Sequence, residues 1–208
     1  ASFLFGLHKD PEDKAKLRPV AVGGGWRRAF TSITVKHNTK QFTEFLSPHN
    51  YAIGVKGGSN FVYHTISNEI DKYITRSQGD TKTNPPTRCL VSLDIQNMFN
   101  EIPRERALDI INKHFPNISN LANLLLSEPT TCLYQDPDGE WKSFQQEEGL
   151  PQGCPFSPVL AALVLNTIIT KLDVLLRERA RLRKLKKILL DDNEGGITNL
   201  LAFVDDLN

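Results

Sequence analysis

Two apolar runs that each end on aspartate constrain this chain more than any other feature. Leu200-Leu201-Ala202-Phe203-Val204 leads into Asp205-Asp206, and Leu207 follows the pair. Arg88-Cys89-Leu90-Val91-Ser92-Leu93 leads into Asp94. A short apolar run bounded by a turn residue reads as a buried strand. Aspartate is also at home in ordinary surface turns, so either run alone is compatible with a plain turn. Side by side, the two strands bring Asp94 and Asp205 together. Unpaired carboxylates held close repel and raise each other's pKa, so the pair needs a counter-charge.

A divalent metal is the usual counter-charge for an all-oxygen site, and Mg²⁺ favours one or two carboxylates together with substrate phosphates. Two Mg²⁺ (or Mn²⁺) ions roughly 4 Å apart stabilise both the attacking and the leaving oxygen of an in-line displacement. With a 3′-hydroxyl attacking and pyrophosphate leaving, that chemistry is nucleotidyl transfer.

The chain has 208 residues, enough for one large domain or two small ones, with a real core. Its formal charge of +1 does not mark a nucleic-acid binder. The distribution is more telling: basic residues gather from Lys9 to Lys40 and from Arg177 to Lys187, acidic ones from Asp136 to Glu148 and from Asp191 to Glu194. Cys89, Cys132 and Cys154 are odd in number and lack metal-ligand spacing, so they read as reduced and packed, in an intracellular protein of nucleus or cytoplasm. No run reaches transmembrane length, no membrane partner is expected, and the first residues are not a signal peptide. The chain stops two residues after the Asp pair, before any return strand, so a fragment of a longer protein is expected.

Along the chain, Leu17-Arg18-Pro19-Val20-Ala21-Val22 reads as a short strand broken by Gly23-Gly24-Gly25. Residues 26–46 read as a helix, with Arg27 and Arg28 at the end where the dipole disfavours cations. They would suit an external anion or stand as a solvated pair. Ser59 is placed to cap a second helix that buries Val62, Ile66, Glu69 or Ile70, Tyr73 and Ile74 on one face. Pro103 opens a helix with Ala107, Ile110, Ile111 and His114 on its buried stripe, and Ile118 to Ser127 forms another. Asp136-Pro137-Asp138-Gly139 is a hairpin turn between strands 131–134 and 141–144. Ser157 before Pro158 marks an N-cap and N1 proline for a long helix, buried at first and basic from Arg177 on. Gln152 lies ahead of it in a loop fixed by Pro151, Gly153 and Pro155.

Three stretches therefore stand in order: Leu93-Asp94 with Phe99, Leu150-Pro151-Gln152-Gly153 with Ser157-Pro158, and Phe203-Val204-Asp205-Asp206. Together they resemble the three palm motifs of reverse transcriptases. Leu17-Arg18-Pro19-Val20 resembles the fingers motif of that family, and residues 54–60 resemble the loop before its second fingers helix. The resemblance runs from about Lys14 to the end of the chain.

The resemblance implies an α/β fold: a palm of antiparallel strands with helices on one face over residues 86–208, a partial fingers region over 1–85, and no thumb. It implies an RNA-directed DNA polymerase that extends a DNA primer on an RNA template with deoxynucleoside triphosphates, as part of a retroelement, with a lean to the non-long-terminal-repeat type. The fragment alone is expected to be inactive. Asp94 and Asp205 would be metal ligands with the backbone carbonyl of Ile95, and Asp206 the further catalytic carboxylate. Arg18 would contact the incoming triphosphate, with Lys9, Lys14 or Lys16 as its partner. Gln152, beside Gly153, would lie next to the incoming nucleotide. Phe99, five residues past Asp94, stands where RNA-dependent RNA polymerases typically carry a second aspartate for the 2′-hydroxyl. An aromatic ring there would exclude that hydroxyl and favour a DNA product. Two alternatives stay open: an RNA-dependent RNA polymerase, against which Phe99 argues, and an inactive palm kept as a scaffold, against which the three aspartates argue. Phe99 as a plain core residue also stays open.

Overall fold

A computed structural model of the chain describes residues 1–8, 17–79 and 91–190. Its sheet begins with β1 (Ser2–His8) and β2 (Leu17–Gly23), antiparallel, with Ser2 opposite Gly23 and His8 opposite Leu17. The Arg18-Pro19-Val20 motif therefore lies on a strand, as its pattern predicts, whereas no strand is expected over β1. β2 is an edge strand, which is where a proline such as Pro19 is tolerated. β3 (Thr130–Gln135) and β4 (Trp141–Gln146) form the expected antiparallel hairpin. Asp136 makes its turn: Oδ1 accepts from the N–H groups of Asp138 and Glu140 at 3.0 and 2.9 Å.

The four strands run in the order β2-β1-β3-β4, and β1 joins β3 in parallel through Ser2–Cys132 and Phe3–Leu133. The sheet is thus mixed: the palm strands β3 and β4 are antiparallel as expected, the parallel join is between β3 and β1, and two strands come from each side of the residue-85 boundary. One face turns Ala21, Ser2, Thr130 and Cys132 inward, while Phe3, Phe5 and Trp141 are exposed, with Phe3 set edge-on to Trp141 at 5.8 Å.

The helices are α1 (Gly25–Leu46), α2 (Gly58–Gly79), α3 (Met98–Glu101), α4 (Arg104–His114), α5 (Pro116–Leu126) and α6 (Ser157–Leu190). α1 is rich in threonine, a weak helix former, and four of its threonines return their hydroxyls to the preceding turn: Thr31, Thr34, Thr39 and Thr43 each donate to the carbonyl four residues back at 2.8 Å. The core centres on the first turns of α6, where Val159, Leu160, Ala161, Ala162 and Leu163 are buried. Around them lie Phe42 and Leu46 of α1, Ala107 and Ile111 of α4, and Ile118, Ala122 and Leu126 of α5. Each large side chain so buried contributes about 1.5–3 kcal/mol. Ala107 and Ile111 form the expected stripe, but His114 stays exposed, its ring 4.9 Å from that of Phe45.

Two readings of pattern need correction. Ser157–Leu182 is long and apolar enough to cross a membrane by length and composition, although no run was expected to be; its first turns are the centre of the core. α2 was expected to bury one face, yet Ile70 and Ile74 are exposed and Val62 and Ile66 only half-buried. Helical spacing reports a helix, and whether a layer covers its face depends on residues distant in sequence.

Candidate active site

Residues 91–95 lead to the site without regular structure, and Asp94 is exposed. The expected strand Arg88–Asp94 is therefore not formed over its described part; Arg88, Cys89 and Leu90 lie outside the described residues. A strand exists through its ladder, and residues 91–94 pair with no strand among the described residues. Leu93 is accordingly 82% exposed. Asn97 then turns the chain at φ 52°, a left-handed conformation that asparagine tolerates better than most residues, and becomes the N-cap of α3.

Phe99 follows and is only 4% exposed, its ring part of the main core. Its backbone faces the second motif. The Phe99 carbonyl accepts the N–H of Leu150 at 2.6 Å. Gly149 has φ +75°, and a Cβ on it would lie 2.5 Å from the Asn100 carbonyl oxygen, so only glycine lets the two backbones approach this closely.

The loop from Gly149 to Ser157 is held at several points. Leu150 and Phe156 are buried, and the Pro151 carbonyl accepts the N–H of Cys154 at 3.2 Å. The Ser157 hydroxyl donates to that same carbonyl at 2.8 Å. Ser157 was expected to be an N-cap; it is instead the first residue of α6 and ties the helix back to the loop. Gly153, at φ +98°, packs on β2: a Cβ there would meet the Ala21 carbonyl oxygen at 3.1 Å and Val20 Cγ1 at 3.2 Å. Gln152, between these fixed points, is half-buried. One loop thus touches the strand that carries Arg18 and the turn that carries Phe99. Arg18 itself stands opposite Leu7.

Two arginines that carry no motif underlie this arrangement. Arg104, the first residue of α4, is 5% exposed. Its Nε donates to the Gly149 carbonyl at 2.8 Å, Nη1 to the Glu128 carbonyl at 3.0 Å, and Nη2 to Thr130 Oγ1 at 3.4 Å. Arg27 is half-buried and donates Nη2 to the Leu125 carbonyl at 3.3 Å, which replaces the external anion considered for it; its Nε is buried with no hydrogen-bond partner in the structure. Both therefore serve carbonyls at or just beyond the C-terminal end of α5, where the dipole favours cations. Burial lowers the Arg104 pKa from its ordinary value, the nearby Arg27 charge adds to this, and Glu148 opposes it. Burial likewise raises the Cys132 thiol. A cation at the start of α4 is unfavourable to that helix, and this mismatch right after Pro103 is the signal by which the sequence could have singled out Arg104.

Asp205 and Asp206 lie outside the described residues, as do Lys9, Lys14 and Lys16. Among the described residues no three His, Cys, Asp or Glu side chains gather closely enough to hold a metal ion. The exposed Asp94 and the Ile95 carbonyl are hard oxygen donors, the kind a divalent metal such as Mg²⁺ takes.

No curated protein matches the chain. A family model described as reverse transcriptase (RNA-dependent DNA polymerase) matches residues 9–208, a span that contains all three motifs and the Arg18 strand. The mixed α/β fold agrees with a polymerase palm fragment. With nearly its whole length matched in this way, the chain belongs to the reverse transcriptase family.

Proposed function

We propose that this chain forms the nucleotide-selecting and catalytic part of an RNA-directed DNA polymerase that extends a DNA primer on an RNA template. The family carries nucleotidyl transfer of this kind, binds template, primer and nucleotides, and generally uses divalent metal. The observation that supports the reading here is the position of one loop: Gly153 lies on β2 at Val20–Ala21 while Leu150 bonds to Phe99. A nucleotide bound beside Gln152 would then have the Arg18 strand on one side and the Phe99 turn on the other.

In this reading Arg18 binds the triphosphate, with its cationic partner among Lys9, Lys14 and Lys16. Gln152 and Gly153 fix the nucleotide's position, and holding it rigidly against the primer end lowers the barrier by pre-arranging the reacting atoms. Asp94, the Ile95 carbonyl, Asp205 and Asp206 would hold Mg²⁺ or Mn²⁺, which supplies a lowered pKa at the attacking hydroxyl and charge stabilisation at the leaving oxygen. The exposure of Asp94 leaves its oxygens accessible for that purpose. Membership of a retroelement, of the non-long-terminal-repeat type, belongs to the same proposal.

The test is primer extension by the full-length protein with Mg²⁺ or Mn²⁺, on an RNA template with a DNA primer. Asp205→Asn should abolish synthesis and leave the fold intact, because it removes a charge and almost no volume. Undiminished synthesis by that variant would sink the assignment.

A further inference from the structure

We propose that Arg104 is a positioning residue for nucleotide selection: it couples the Phe99 turn to the Gln152 loop by holding the carbonyl of Gly149 from beneath. The inference rests on the functional reading above. Arg104 touches neither Asp94 nor Gln152 in any described contact, so its effect on them must pass through backbone.

The route is short. Arg104 Nε holds the Gly149 carbonyl at 2.8 Å. The Cα of Gly149 lies so close to Asn100 that no Cβ fits, and the next N–H, of Leu150, is bonded to the Phe99 carbonyl at 2.6 Å. Gln152 follows two residues later. A shift of Gly149 therefore moves the Phe99 turn and the Gln152 loop together. Arg104 removes that freedom because its other two nitrogens are committed elsewhere, to the Glu128 carbonyl after α5 and to Thr130 on β3. A guanidinium fork can serve three acceptors in one plane; a lysine ammonium is a point charge on a flexible stem and cannot hold all three. Burial strengthens the constraint, since any donor pulled off its acceptor finds no water to replace it.

A purely structural arginine would look similar in the folded protein, so the experiment must separate the two. It uses the full-length protein on an RNA template with a DNA primer. Single-nucleotide incorporation is measured for a deoxynucleotide and its ribonucleotide counterpart, together with amide hydrogen exchange over residues 147–156. Arg104→Lys should raise KM for the deoxynucleotide about tenfold, the scale seen when a partner that orients a binding group is lost. It should change kcat less, reduce the preference for deoxynucleotides, and speed exchange at Leu150. Asn117→Ala, which removes the 2.7 Å bond to Asn38 between α5 and α1, should lower Tm and leave KM and sugar preference alone. If Arg104→Lys keeps the parent's KM, sugar preference and Leu150 exchange, the coupling is overturned. The same holds if Asn117→Ala shifts KM and preference equally. A folded parent that incorporates no nucleotide removes the functional reading, and the coupling with it.

Discussion

The two described motifs of the site are built in opposite ways. The Gly149–Ser157 loop is pinned at nearly every residue: by Arg104, by Phe99, by the Ser157 hydroxyl and by the approach of Gly153 to β2. The segment at residues 91–95 has no ladder among the described residues, and both Asp94 and Leu93 stand exposed. The pinned loop carries the residues proposed to position a nucleotide, which must be rigid to discriminate. The open segment carries a carboxylate proposed to bind metal, which must keep its oxygens available. Change in the first should therefore register as stability and selectivity, and change in the second as activity alone.

The largest effect expected is the loss of activity in Asp94→Asn. Removing one carboxylate proposed to bind metal should cost several kcal/mol of transition-state stabilisation, roughly a thousandfold or more in rate. Because Asp94 is exposed, Tm should stay where it was. Primer extension and a melting curve on the same preparation check this. A variant that melts early, or one that still extends primers well, breaks the contrast between an open reactive segment and a pinned support.

Gly149→Ala probes the other side. At φ +75° and with the Asn100 carbonyl oxygen 2.5 Å from the new Cβ, a methyl group meets backbone that must shift. Left-handed strain and overpacking together put the cost at roughly 2–5 kcal/mol. Gly25→Ala is the control, with nothing within 4 Å of its Cβ position and no positive φ. It should be neutral or slightly stabilising, by up to about 1 kcal/mol. Denaturant unfolding of both variants gives the comparison, and equal effects would show that the loop is not pinned through Gly149.

What the sequence disclosed follows the same divide. Local signals were readable: the Arg18-Pro19-Val20 strand, the helix after Gly23-Gly24-Gly25, the Asp136–Gly139 turn, and the helix start at Ser157-Pro158. Each depends on neighbours within a few residues. The pairing of β1 with β3 joins residues 2 and 132, and no local pattern announces it. Arg104 is not singled out, and Arg27 reads as an anion partner or a solvated charge, because their acceptors, backbone carbonyls and the Thr130 hydroxyl, lie more than 20 residues away. The strand expected to end at Asp94 was read from apolar residues alone, whereas a strand also needs a neighbour, and residues 91–94 have none among the described residues. The ordered motifs of the site were legible as a resemblance, but the support beneath them was not.

Phe99 sharpens the comparison, because it lies between the two regions. If its ring excludes a 2′-hydroxyl, Phe99→Ala should admit ribonucleotides more readily by ~1–3 kcal/mol, roughly a five- to hundred-fold change in sugar preference. The ring is also core, so the same truncation should cost about 3–5 kcal/mol of stability. Phe99→Leu keeps most of the volume and allows the selectivity ratio to be read on a folded protein. The ratio of kcat/KM for deoxy- and ribonucleotides, measured in the parent and both variants, decides the matter. An unchanged ratio with surviving activity would make Phe99 a core residue only.

The smallest effect concerns a carboxylate committed to structure. Asp136 forms an ion pair with Lys142 at 2.5 Å and accepts the N–H groups of Asp138 and Glu140, so its oxygens are taken up by the hairpin turn. The Lys142 contact, and then the Glu140 N–H, holds its carboxyl below the ordinary aspartate range. A folded-state pKa below the unfolded value means that the contribution is fully present above the unfolded pKa of about 3.9 and is lost as pH falls through the folded value. The hairpin should therefore loosen only under acid, with no effect on stability near neutrality. Salt should weaken the Lys142 part, because the Lys142 side chain faces solvent. Lys142→Ala should move the Asp136 titration back toward the ordinary value, followed by NMR of the side-chain carboxyl. If that titration already sits at the ordinary value in the parent, Asp136 is not committed to the turn, and its contrast with the open carboxylate of Asp94 disappears.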